Sequence, residues 1–216
     1  MRYIFIVVCS ALLITLAWGL KLGAPAQSAT AGEAHVESQN QPTAVFAGGC
    51  FWGVDAVFRH VKGVTSVESG YAGGNAETAH YDQVSKGDTG HAESVRVRFD
   101  PTKVSYRQLL EVFFKVAHDP TQRNRQGPDE GGQYRSAIFY TSAEQQHAAE
   151  DYVRELTDEH VFAAPIVTQI VPLPEFYPAE QYHQNFYALH QYMGYIIVYD
   201  VPKLRHLREQ YPGLYQ

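Results

Sequence analysis

Cys50 is the residue of this sequence with the widest chemical reach. The chain holds two cysteines, and the other, Cys9, lies inside an apolar run from Tyr3 to Leu20. Beyond that run one thiol remains, and it has no internal partner for a disulfide. A free thiol in an oxidising compartment is a liability unless something uses it. Its setting is Gly48-Gly49-Cys50-Phe51-Trp52-Gly53. An apolar stretch ends, two glycines turn the chain, and a helical pattern begins at the cysteine. Free amides and the positive end of a helix stabilise an anion there, so this placement predicts a lowered thiol pKa. The plainer reading is a buried structural cysteine. Phe51 and Trp52, adjacent at a helix start, cannot both face one core, so at least one of them is expected to line a cavity.

Glu93 is the next group of interest. Taken alone, a glutamate just ahead of a strand is usually only a solvated charge. His91-Ala92-Glu93 matches the H-x-E of zinc-dependent deaminases, but that chemistry also needs a Cys-x-x-Cys pair, which the chain lacks. The ten histidines show no convincing metal-ligand spacing. A cysteine hydrolase, with Cys50 served by His118 or His183 and a carboxylate, is the main alternative chemistry. A non-enzymatic module that binds oxidised proteins is another.

The elements that must hold these groups follow from periodicity. Thr43 to Ala47 reads as a short buried strand. Val54, Val57, Phe58 and Val61 fall at helical spacing, and Gly63 stops that helix. Val64 to Gly70 suggests a second strand and Gly73-Gly74-Asn75 a turn, with loop over residues 75 to 92. Ser94 to Asp100 alternates apolar and charged residues as a half-buried strand. Ser105 with Gln108 forms a capping-box pattern opening a helix to Ala117. His118 to Tyr134 reads as a long loop, a length usually functional in a compact domain. Ala137 to Tyr140 is a strand. Ser142 with Gln145 opens another helix, with Ala149, Tyr152, Val153 and Leu156 as its apolar face. Val167 to Leu173 is a strand and Ala179 to Gln191 a helix, after which the pattern fades. This order predicts an α+β fold, a two-layer α/β plait with a ferredoxin-like core, long loops and an irregular C-terminal tail.

Composition suits one globular domain: 216 residues, 45% hydrophobic and 19% charged, with fifteen Tyr and eleven Phe. The net charge of −6 and the lack of a basic stripe argue against nucleic-acid binding. Met1-Arg2, the apolar run and the small-residue sites Ala24-Pro25-Ala26 or Ala29-Thr30-Ala31 read as an export signal. The run is also just long enough to anchor the chain in a bilayer. The expected division is an export signal or membrane anchor over 1–26, a linker over 27–42 and a catalytic domain over 43–216. An exported, periplasmic or secreted location follows.

The segment around Cys50 resembles the signature of the A-type methionine sulfoxide reductases. The resemblance continues through Gly90-His91-Ala92-Glu93, His118-Asp119-Pro120, Asp129 and Gln133-Tyr134-Arg135-Ser136, over roughly residues 43 to 190. It implies a role for each matching position. Cys50 is the nucleophile, Phe51 and Trp52 are aromatic walls around the S-methyl group, and Glu93 is the acid near the sulfoxide oxygen. Tyr81 and Tyr134 are hydroxyls that reach that oxygen, and Asp129 is a supporting acidic position in the substrate site. It further implies reduction of the S epimer of methionine sulfoxide, free or in oxidised proteins and peptides, through a Cys50 sulfenic acid and without a metal or organic cofactor. Many members carry further cysteines near the C-terminus that resolve the sulfenic acid as a disulfide. None follows Cys50 here, so an external thiol, small or from a thioredoxin- or glutaredoxin-like protein, is expected to complete the cycle. Nothing in the sequence demands more than a monomer.

Overall fold

The computed structural model describes residues 41–216; the expected export segment, Cys9 and nearly all of the linker lie outside them. Five of the six residues of β1 (Thr43–Gly48) are buried, so the strand is covered on both faces. The reason is its place inside a six-stranded sheet of order β7 (Gln169–Pro172), β6 (Ser136–Tyr140), β1, β3 (Ala92–Phe99), β2 (Val64–Ala72), β8 (Phe176–Pro178). Helix α1 (Phe51–Arg59) follows the Gly48-Gly49 turn directly. Its buried Val54, Val57 and Phe58 press onto the face of the sheet that carries Phe46, Val95 and Val97. Phe46 stacks between Phe58 and Phe113, with ring centroids 5.1 and 4.8 Å away. Stacked aromatic pairs of this kind add about 0.5–1.5 kcal/mol each beyond the area they bury.

Strand β2 (Val64–Ala72) runs antiparallel to β3 (Ala92–Phe99), and β3 is antiparallel to β1. The connection between β2 and β3, expected as loop, holds a short helix α2 (Tyr81–Val84). Strand β3 begins two residues earlier than its alternation suggested, so Glu93 lies within the ladder opposite Tyr71 rather than ahead of it. On the outward side of β3, Arg96 pairs with Glu68 and lies over the Phe176 ring at 4.6 Å.

The capping box at Ser105 is complete and starts α3 (Tyr106–Val112); such a cap contributes about 1 kcal/mol. The chain then widens into a π-helical turn over Phe113–Ala117, which buries both Phe113 and Phe114. Residues 118 to 134 form the long connection, pinned by a small ladder between β4 (Arg125–Gln126) and β5 (Asp129–Glu130). Strand β6 (Ser136–Tyr140) pairs with β1. At α4 (Ala143–Asp158) the Ser142 hydroxyl accepts the Gln145 amide, but the Gln145 side chain accepts the Thr141 amide at 3.0 Å and donates to Thr43 O instead of closing a second box on Ser142. Strand β7 (Gln169–Pro172) lies parallel to β6 and β8 (Phe176–Pro178) antiparallel to β2.

Two expectations fail beyond this point. Ala179 to Gln191 is not one helix: a 3₁₀ turn at Gln181–His183 precedes the short α5 (Phe186–Leu189). The Gln184 side chain pairs with both backbone groups of Ser69, at 2.9 Å each, and Asn185 has a positive φ of 51°. Tertiary bonds to the β2 edge outcompete a local helix there. Nor is the tail irregular. Helix α6 (Val201–Gln210), with Pro202 in its first turn, buries Leu204 and Leu207 in the core cluster that also holds α1. No helix among the described residues is long and apolar enough to cross a membrane.

Candidate active site

Cys50 is the N-cap of α1, at the point where β1 leaves the sheet. The approach depends on Gly49, whose φ of +91° is unfavourable for any side chain, and where a Cβ would overlap the Gln126 side chain. Glu93 lies across the gap from β3. Its carboxyl accepts the Phe51 amide at 3.0 Å, filling one of the free donor positions of α1. At 2% exposure this carboxyl is sealed from water, and burial raises it to about 8 against the single opposing amide. At neutral pH Glu93 therefore holds a proton.

The thiol departs from expectation. Burial, then the Glu93 and more distant Asp200 and Asp129 carboxylates, push Cys50 well above the ordinary thiol range, although the Trp52 amide at the helix start works to lower it. The helix end is present, but desolvation outweighs it. A protonated Glu93 carries no charge, so near neutral pH its part of the upward push is absent. Cys50 also keeps a partial opening to solvent.

Phe51 and Trp52 pack on the same core cluster but differ in burial. Phe51 turns inward against Tyr71 and His183, at ring distances of 5.9 and 5.0 Å. Trp52 is half-buried and forms a shelf. It stacks flat on Phe186 at 3.7 Å, meets Tyr195 edge-on at 6.0 Å, and its indole N–H donates to His183 Nδ1 at 3.1 Å. Tyr81 opens α2, its ring 4.4 Å from His183, and its amide donates to Glu180 Oε1 at 3.0 Å. Glu180 Oε2 accepts the Tyr71 hydroxyl at 2.8 Å. Tyr134 ends the 3₁₀ turn Gly132–Tyr134. Burial, and then the Glu93 and Cys50 charges, raise both the Tyr81 and Tyr134 phenols, which therefore stay protonated donors. Asp129, on β5, accepts a hydrogen bond from the Tyr195 hydroxyl. His183 links Phe51, Trp52 and Tyr81, the Phe51 amide links Glu93 to the same helix start, Tyr195 links Trp52 to Asp129, and the Tyr81 and Tyr134 phenols both feel Glu93 and Cys50.

Sequence reasoning missed Tyr195, His183 as a partner of Trp52, Glu180 and Asp200. Asp200 is buried against Gly53 of α1, with one carboxylate oxygen lacking a partner. All lie beyond residue 179, where the pattern suggested one helix that does not form and then faded.

The hydrolase arrangement is absent. His118 bonds Phe113 O at 2.8 Å and Ser136 Oγ at 2.7 Å, so both ring nitrogens are engaged, and burial holds it down at about 4. His183 accepts the Trp52 indole N–H at Nδ1, and its buried Nε2 has no hydrogen-bond partner. Neither imidazole bonds Cys50. His91 likewise spends both nitrogens on its own loop, at Gly74 N and Asn75 O.

Comparison with known proteins agrees with this geometry. The family model described as peptide methionine sulfoxide reductase matches residues 42–213. The chain belongs to the peptide methionine sulfoxide reductase family. It is 53% identical over 173 residues to peptide methionine sulfoxide reductase MsrA 2 of Mesorhizobium japonicum, covering 80% of this chain and 89% of that one. Against the MsrA of Deinococcus radiodurans identity is 50% over 171 residues, or 79% and 82% of the two chains. Among solved structures, reduced Mxr1 of Saccharomyces cerevisiae superposes with a TM-score of 0.65 at 32% identity, covering 71% of this chain and 87% of that one. Methionine sulfoxide reductase A of Corynebacterium diphtheriae gives 0.62 at 34% identity, covering 71% and 78%. The mixed α/β fold with its six-stranded sheet is that of these enzymes, and membership makes the chain an oxidoreductase.

Proposed function

We propose that the chain reduces the S epimer of methionine sulfoxide, free or in oxidised proteins, and so repairs them. The observation that carries this reading is a neutral, buried Glu93 held on the same helix end as Cys50. A sulfoxide sulfur becomes electrophilic when its oxygen accepts a proton or hydrogen bonds. Glu93 gives that proton, and Tyr81 and Tyr134 stabilise the oxygen as charge develops on it. Trp52 and Phe51 flank the methyl group, and Asp129 supports the substrate through Tyr195. Cys50 sulfur attacks the sulfoxide sulfur to form an S–S bond, the protonated oxygen passes from the substrate sulfur to the Cys50 sulfur, and the S–S bond breaks with its electron pair going to methionine. Methionine leaves, the oxygen ends on Cys50 as sulfenic acid, and the thiol proton replaces the one that Glu93 gave up. Two electrons pass from the cysteine to the substrate.

A thiol then attacks the sulfenic acid, releasing water and forming a mixed disulfide that a second thiol reduces. The sequence offers no second cysteine after Cys50, which favours an external reductant such as a thioredoxin- or glutaredoxin-like protein acting on a monomer. For the scaffold we infer a two-layer plait: β6-β1-β3-β2 are antiparallel neighbours, with a helix after β1 and another after β3. For location we infer export, or anchoring through residues 3–20, on the charge and apolar pattern of the first residues.

The deciding experiment is the rate of methionine formation from each separated epimer with dithiothreitol. A methyl shelf and a fixed donor cluster accept one arrangement about a chiral sulfur, so the S epimer reacts and the R epimer does not. Equal rates would contradict the reading.

A further inference from the structure

We propose that Arg135 is a positioning residue that fixes the Tyr134 hydroxyl relative to Glu93, by fastening the turn of Tyr134 to the entry of the strand that carries Glu93. The inference rests on the roles given to those two residues above. Arg135 directly follows the 3₁₀ turn that ends in Tyr134, and its guanidinium folds back over it. Nη1 donates to Gly132 O at 2.8 Å, inside that turn, and to His91 O at 3.1 Å. Nη2 donates to Gly90 O at 2.9 Å. Gly90 and His91 are the residues that lead into β3, with Glu93 the second residue of the strand. Nε donates to Gln169 Oε1 at 3.2 Å on edge strand β7, which orients the plane of the fork.

This is an unusual use of an arginine. Among the described residues it makes no ion pair, although eight other such pairs form. Its two Nη groups donate to backbone carbonyls of two different loops. A planar fork with five donors can serve both loops at once, and a lysine's single ammonium cannot hold that geometry. The space is shaped for it: a Cβ at Gly73, whose φ is +96°, would stand 2.7 Å from Nη2. Glu93 itself is anchored independently, by the β3 ladder and by the Phe51 amide. The Tyr134 turn is tied elsewhere through Gly131 N to Asn124 O and Gln133 Nε2 to Ser85 O, and Arg135 supplies the tie that runs to the entry of the Glu93 strand.

The test is a double-mutant cycle read by single-turnover release of methionine without reductant, using Arg135→Lys, Tyr134→Phe and the pair. A displacement near 1 Å costs up to about 10²-fold in rate, so Arg135→Lys should slow release about tenfold or more. Substrate saturation should shift by less than about threefold. In the Tyr134→Phe background the same change should cost under about twofold, since a missing hydroxyl cannot be misplaced. A purely structural role would leave the two penalties additive. An undiminished tenfold loss on top of Tyr134→Phe overturns the inference, as does a wild-type rate for Arg135→Lys. If Tyr134→Phe alone has no effect, the role of Tyr134 fails first and the inference goes with it. Should Arg135→Lys not fold, Gln169→Ala replaces it in the same cycle with the same criteria, at an expected loss of about threefold.

Discussion

At the residue scale the site turns on where two protons sit. Glu93 is held at about 8 by burial, and Cys50 lies well above the ordinary thiol range, so at neutral pH both groups are protonated. The acid is therefore loaded before substrate arrives, while the thiol must lose its proton during attack. Because the folded pKa of Glu93 is raised, its competent form is full at acid pH and is lost as pH rises through about 8. Single-turnover release of methionine should fall along that limb, and the limb should vanish in Glu93→Gln. A glutamine donates a hydrogen bond but gives up no proton, so that variant should also be about 10²–10⁴-fold slower. A change under about threefold, or an unmoved pH limb, would remove Glu93 from the role of acid. Cys50→Ser should fold and release no methionine at all.

At the element scale the chemistry depends on a sharp junction between β1 and α1. Gly49 takes a conformation that costs an ordinary residue about 1–2 kcal/mol. A side chain there would also collide with Gln126, whose amide holds Asp119 N and O at 3.2 and 3.0 Å. Gly49→Ala should therefore lower stability by at least about 1 kcal/mol in urea denaturation and slow methionine release, because Cys50 and the long 118–134 connection shift together. Unchanged stability with unchanged rate would mean that the junction tolerates a side chain and that the turn does not set the thiol's position. The second necessary element is the chain from His183 to Asp200. It brings His183 and Phe186 to Trp52 and Tyr195 to Asp129, so the aromatic shelf is built from both ends of the domain.

At the scale of the whole molecule, one thiol in the catalytic region sets the stoichiometry. The enzyme without reductant should release one methionine per chain and stop, with an intact mass increased by one oxygen atom on Cys50. Added thiol should form a mixed disulfide and restore turnover, and peroxide should inactivate the sulfenic state readily. A disulfide-linked dimer on non-reducing gels at low concentration would instead mean that two copies resolve one another, and the external-reductant account would fall.

The sequence by itself determined the family, singled out Cys50 and placed the central elements. Cys50 stood out because it is the only thiol beyond the apolar run, and the alternation of Val95, Val97 and Phe99 placed the strand that carries Glu93. Those are local signals: a residue count, a period, a glycine turn. Tertiary structure alone decided the protonation of Cys50 and Glu93, since desolvation depends on what other segments bring over them. It also decided the course of residues 179 to 210, where Gln184 bonds across to Ser69 and Leu207 packs in the same core cluster as α1. No periodicity within that segment encodes partners more than a hundred residues away. Tyr195 was therefore legible as a residue type but not as part of the site, and His183 only as a possible base for Cys50, because what gives them their partners is the distance to Trp52 and Asp129 that folding closes.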